Sequence, residues 1–148
     1  MEVLNLAVQA ARDAEAGAPP NVAALIQEIY ADLSSRDVLL VKELAETYFP
    51  DNNETKVPLA IALALCTQSA ERTILLAANL GGDADSVASI GAAIAGALRP
   101  DSVNYAWFDV VQAVNGGDLI ELAQSLAQPL PTPFLSYRSS CSRCPPLR

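Results

Sequence analysis

Asp83, Asp85 and Ser86 are the residues of this chain whose types and spacing best suit chemistry. They lie in Gly81-Gly82-Asp83-Ala84-Asp85-Ser86, directly ahead of the small-residue run from Val87 to Leu98. Carboxylates two residues apart aim their oxygens into one small volume only if the chain turns there, and Gly81 and Gly82 permit that turn. With a hydroxyl beside them and no sulfur or imidazole, the set suits a hard cation such as magnesium, manganese or calcium better than zinc or copper. The same residues suit a second role. Asp83 is a good helix N-cap, and Asp85 and Ser86 fall in the first turn, where acidic groups complement the helix dipole. Capping does not account for the helix that follows, in which Gly91 and Gly96 each cost roughly 1 kcal/mol of helix propensity relative to alanine. Such a run predicts another backbone packed close against it.

The elements that must position this loop are helical. Val22, Leu25, Ile26, Ile29 and Leu33 recur at intervals of three and four after Pro19-Pro20-Asn21, predicting an amphipathic helix. The next helix is predicted from Arg36 to Phe49, with Val38, Val41, Leu44, Ala45 and Tyr48 inward and Pro50-Asp51-Asn52-Asn53 ending it. Helices from Pro58 to Cys66 and from Ala70 to Leu80 then lead into the loop. Asp118 with Glu121 reads as a capping box for a final helix that stops before Pro129. The first stretch, Val3 to Ala16, also has helical spacing, with Val3, Leu6, Ala7, Ala10 and Ala14 on one side. No long period-two segment, internal repeat or heptad array interrupts this pattern, so the expectation is an all-α, compact multi-helix bundle.

The run from Ala77 to Leu98 resembles the late signature of the ADP-ribosylglycohydrolase family, in which a Gly-Gly-Asp-x-Asp-Thr loop opens an Ala/Gly-rich helix. Val57-Pro58-Leu59-Ala60 is similar to the start of that family's preceding helix, and Trp107 with Asp118 to Leu126 to its closing segments. The similarity spans roughly residues 54 to 127. It implies an all-helical hydrolase holding two magnesium ions that grip ADP-ribose while the bond from its ribose anomeric carbon to a protein side chain or related leaving group is cleaved. By that resemblance Asp83 and Asp85 are metal ligands, and Ser86 takes the place of threonine, keeping the hydroxyl and losing the methyl that restricts its rotamer. Arg99-Pro100 stands where the family more often has a glycine-containing turn.

Members of that family run to about twice this length, and their earlier half supplies a Thr-Asp-Asp cluster that completes the metal site. No such cluster precedes residue 81. Each magnesium ion takes about six oxygens, more than Asp83, Asp85 and Ser86 provide. The chain therefore reads as the C-terminal half of such an enzyme, and the alternative is a catalytically inactive helical fragment acting as an interaction or structural protein. A bundle without its other half exposes apolar faces, so self-association, or pairing with an N-terminal half, is expected. The expected substrate is ADP-ribose-containing, its leaving group not fixed by these residues.

Composition narrows the classes further. The formal charge of minus 8 opposes a polyanionic backbone, so nucleic acid is not an expected partner. Met1-Glu2-Val3-Leu4 has no basic leader region, and Glu71 and Arg72 interrupt the apolar stretch from Val57 to Leu80, so the expectation is a cytoplasmic protein without a membrane span. The chain has no histidine, which removes Ser/His and Cys/His nucleophilic arrangements and leaves carboxylate and metal chemistry. Asp13 and Glu15 are imaginable replacement ligands, as are Glu28, Asp32, Glu43 and Glu46, although charge on an exposed helix face is usually only solvated. Residues 1–128 are read as the helical domain and 129–148 as an irregular tail. The tail holds five prolines and the pair Cys141 and Cys144, which read as a disulfide or plain thiols, because zinc needs more Cys or His ligands than the chain offers.

Overall fold

The computed structural model describes residues 2–14 and 22–128, and in these it is all-α: eight α-helices, one 3-10 turn and no strand. Residues 2–14 and 22–104 belong to one compact unit, and Tyr105 begins a second. The predicted tail, with Cys141 and Cys144, lies outside the described residues, as do Glu15 and the Pro19-Pro20-Asn21 start signal.

The first unit is organised around α4, Asn53–Thr67, which packs against α1 (Glu2–Ala14), α2 (Val22–Ser35), α5 (Ala70–Ala78) and α6 (Ala84–Leu98). Leu59, Ala60, Ala62, Leu63 and Ala64 are all fully buried, so α4 has no solvent stripe over this stretch and reads as a core helix. The other helices each turn one face to it. In α2 that face is Ala23, Ile26, Ile29 and Leu33, and in α6 it is Val87, Gly91 and Ala95, spaced by four. Val8 of α1 packs with Ala23 and Ile26. Each fully buried leucine contributes on the order of 1.5–3 kcal/mol by leaving water.

Several predicted boundaries move, each for a local reason. The helix expected from Arg36 to Phe49 is only α3, Val41–Thr47. Because α2 runs on to Ser35, residues 36–40 form an irregular connection bent at Asp37 and Val38, and Val38, expected inward, is 63% exposed. Proline was expected to open α4, yet Asn52 starts it five residues before Val57 by accepting a bond from the Thr55 amide at 2.9 Å. Pro58 is tolerated inside because its missing donor frees only the carbonyl of the exposed Glu54. Gln68 ends α4 in the left-handed region, at φ 46°, and Ser69 then caps α5. A 3-10 turn over Pro100–Ser102 follows α6, and the Ser102 hydroxyl accepts from the Ala70 amide at 2.9 Å, tying the turn to the start of α5.

The second unit contains α7, Tyr105–Val114, and α8, Leu119–Ala127, and neither buries a side chain. Asp118 precedes α8 as expected, but its carboxylate caps nothing. Its backbone is already helical, at φ −93° and ψ −2°, rather than in the extended conformation from which a cap reaches the free amides.

Candidate functional site

The aspartate loop is built by five residues with no catalytic character of their own. Leu80 is buried and anchors the end of α5. Gly81 and Gly82 follow at φ 79° and 53°, a backbone that side chains rarely adopt. They are also needed for space. A Cβ on Gly81 would stand 2.9 Å from the Phe49 ring, and one on Gly82 would stand 2.7 Å from the carbonyl oxygen of Pro50. That same oxygen accepts the Asp83 amide at 3.0 Å, so the loop is seated on the segment that leaves α3.

Asp83, Asp85 and Ser86 come out at one loop-to-helix junction, each with a different partner. The Asp83 backbone carbonyl accepts from the Ser86 and Val87 amides at 3.1 and 3.3 Å, so Asp83 occupies the N-cap position of α6. Its side chain does not cap, which removes the capping role as an account of the carboxylate. That carboxylate instead pairs with the ammonium of Lys56, from the first turns of α4. Asp85 is exposed and its Oδ1 accepts the Ser86 amide at 2.8 Å. Ser86 is half-buried.

Lys56 is the partner of Asp83 that sequence reasoning missed. Its side chain is 11% exposed while that of Asp83 is 55% exposed, so the lysine, not the aspartate, is the group taken out of water. Lysines are almost never buried unpaired, and a basic residue immediately before the apolar run starting at Val57 was the signal that an acidic partner would be found.

The remaining carboxylates considered as ligands have other engagements. Asp13 accepts from Gln9 at 2.8 Å. Asp32 accepts from Arg36 at 2.8 Å and from the Tyr48 hydroxyl at 2.6 Å, and Glu43 accepts from Arg36 at 3.3 Å, a network that clasps α2 to the α3 region. The hydroxyl and guanidinium hold the Asp32 carboxyl below its usual range. Burial first, and the Asp32 carboxylate second, push Tyr48 up to about 12. Glu46 faces Lys42 at 3.9 Å, and Glu28 is exposed. Among the described residues no three His, Cys, Asp or Glu side chains gather as a metal-binding group.

The donor chemistry nonetheless fits a hard cation in kind. Asp83, Asp85 and Ser86 offer only oxygen, and Asp83 already has a cationic group seated on its carboxylate, the Lys56 ammonium. In number they furnish part of an octahedral shell. Two clefts elsewhere in the first unit, of about 220 and 320 Å³, share Tyr30, Leu65 and Gln68 and are lined by none of the three loop residues.

An all-helical bundle with an Asp-x-Asp-Ser junction opening a small-residue helix defines a narrow class. A sequence model of the ADP-ribosylglycohydrolase family matches residues 2–134, and the chain belongs to that family. The match takes in α1 to α3 as well as the stretch after residue 54 in which the resemblance was legible. No curated protein and no solved structure matches the chain. Among the described residues no helix is long and apolar enough to cross a membrane.

Proposed function

We propose that the chain is a magnesium-dependent hydrolase component acting on the glycosidic bond between ADP-ribose and a protein side chain or related leaving group. One observation carries this reading. In a chain of this family, the Asp83 carboxylate leaves the helix amides it is placed to cap unbonded and stands with Asp85 at an exposed loop seated on two positive-φ glycines.

Asp83, Asp85 and Ser86 are the residues that would hold magnesium. When bound, the metal supplies Lewis-acid polarisation and a template for the ribose hydroxyls and a water. The residues of the chain do the rest. The Pro50 carbonyl and the Phe49 ring fix the loop backbone, so the carboxylates reach the substrate already oriented. The N-terminus of α6 presents a positive dipole end to anionic substrate groups. Cleavage through an oxocarbenium-like transition state needs an oriented ribose and a carboxylate that takes the proton of the attacking water, and a loop aspartate serves in that role. The oxygens still needed come from water, from substrate, or from another polypeptide segment, either a second copy of the chain or an N-terminal half bearing the family's Thr-Asp-Asp cluster.

A second reading, a catalytically silent helical protein, is favoured by the Lys56 pair, which neutralises Asp83 without any metal. The two readings separate in an assay of ADP-ribose release from ADP-ribosylated protein, with magnesium, with chelator, and with Asp85→Ala. The proposal expects release that both chelator and substitution abolish. Release indifferent to both refutes the metal assignment, and no release together with no magnesium-dependent binding of ADP-ribose supports the silent reading.

A further inference from the structure

We infer that Lys56 is a built-in counter-cation that competes with a divalent metal for Asp83 and thereby sets the metal affinity of the loop. The inference rests on the metal-site reading of Asp83 proposed above, and adds to it a residue that the metal-ligand motif does not contain.

The geometry is that of a tethered competitor. Lys56 closes the first turn of α4, whose residues Leu59, Ala60, Leu63 and Ala64 are fully buried, so the base of its side chain is fixed to the central helix of the unit. The residue is nine-tenths buried, and its ammonium ends on the Oδ2 of Asp83. The aspartate belongs to an exposed loop and is itself more than half exposed, so solvent and ions reach it from outside while the lysine approaches from within. Neither Asp85 nor Ser86 has a cationic partner among the described hydrogen bonds and ion pairs, so the competition is confined to one ligand of the three.

Two physical effects then act in the same direction. A metal that takes Oδ2 must displace a charge-assisted bond, and, having done so, it stands near a monovalent cation that cannot retreat far into an apolar helix. Both weaken divalent binding relative to the same loop without the lysine. With no metal present, the Lys56 ammonium balances the charge of the Asp83 carboxylate. The residue is thus a positioning and affinity-setting group rather than a catalytic one.

The test uses manganese as the probe, because the free aqua ion gives an electron paramagnetic resonance signal that is lost on binding, and it requires no turnover. The full chain is titrated as wild type, Lys56→Met, Lys56→Arg, Asp83→Ala, and Lys56→Met combined with Asp83→Ala. Lys56→Met keeps the length and apolar stem of the side chain, and helical circular dichroism confirms that each variant folds. The expected result is at least about tenfold tighter manganese binding in Lys56→Met, wild-type affinity in Lys56→Arg, and no gain from Lys56→Met when Asp83 is absent. Equal affinity in wild type and Lys56→Met, with binding lost in Asp83→Ala, overturns the competitor role while leaving the metal site standing. A tightening that persists without Asp83 also overturns it, since the lysine would then act on some other group. No binding in wild type or Lys56→Met up to millimolar manganese overturns the metal-site reading, and this inference with it.

Discussion

Gly91 and Gly96 look alike in sequence, and the fold makes opposite predictions for them. Both are interior positions of α6, where alanine in place of glycine gains roughly 1 kcal/mol of helix propensity. A Cβ on Gly96 would meet Val103 Cγ2 at 3.7 Å and Ala70 Cβ at 3.9 Å, ordinary contacts. Gly96→Ala is therefore expected to stabilise the chain by about 0.5–1 kcal/mol. A Cβ on Gly91 would meet Thr73 Cγ2 at 2.7 Å and the Ala60 carbonyl oxygen at 3.1 Å. Thr73 cannot swing aside freely, because it is fully buried and its hydroxyl is bonded to Ser69 O at 2.8 Å and to Thr67 Oγ1 at 2.7 Å. Turning the methyl away costs about 1–3 kcal/mol in lost buried hydrogen bonding, and leaving it costs a similar amount in overpacking. Set against the propensity gain, Gly91→Ala is expected to destabilise by about 1–2 kcal/mol. The assay is urea denaturation followed by far-ultraviolet circular dichroism, because the single tryptophan, Trp107, lies in α7 and reports on the second unit. In a Thr73→Ser background, which removes the methyl and keeps the hydroxyl, most of the Gly91→Ala penalty should vanish. A Gly91→Ala chain as stable as Gly96→Ala, or a penalty unchanged by Thr73→Ser, would refute the close packing of α6 on α4 and α5.

Three further outcomes follow from the same geometry. Tyr48, pushed up to about 12, contributes stability that is complete below pH 10 and is lost as the pH rises toward 12, so Tyr48→Phe should flatten an alkaline stability profile across that window. Asn52→Ala should cost about 1 kcal/mol, the value of a lost helix cap, whereas Asp118→Ala should fall within about 0.5 kcal/mol of wild type in the same urea series. Burial pushes the Cys66 thiol up, so its alkylation near neutral pH, followed by peptide-resolved mass spectrometry, should be slow in the native chain and fast in denaturant.

Fold class was legible because the evidence for it is repeated. Ile26, Ile29 and Leu33 mark a buried face three times over, and α6 announces close packing through its run of small residues. Cap chemistry was not legible: Asp83 and Asp118, the caps expected from sequence, make no side-chain cap bond, whereas Asn52 and Ser69, which were not singled out, are extended and cap. The loop motif placed Asp83, Asp85 and Ser86 together, since local sequence dictates a local turn. Lys56 was invisible to that reasoning because it lies 27 positions from Asp83 and reaches it only once α4 and α6 are packed. Phe49 escaped for the same cause, as no spacing rule links a ring to glycines that follow it two helices later.

The proposed function requires the Asp83-Asp85-Ser86 loop to bind magnesium and, through it, ADP-ribose. Calorimetric titration of ADP-ribose into the chain, with and without magnesium, on wild type and Asp85→Ala tests it most directly. Heat of binding that requires magnesium and disappears in Asp85→Ala is the expected result. ADP-ribose binding of equal strength without magnesium, or undiminished in Asp85→Ala, would contradict it.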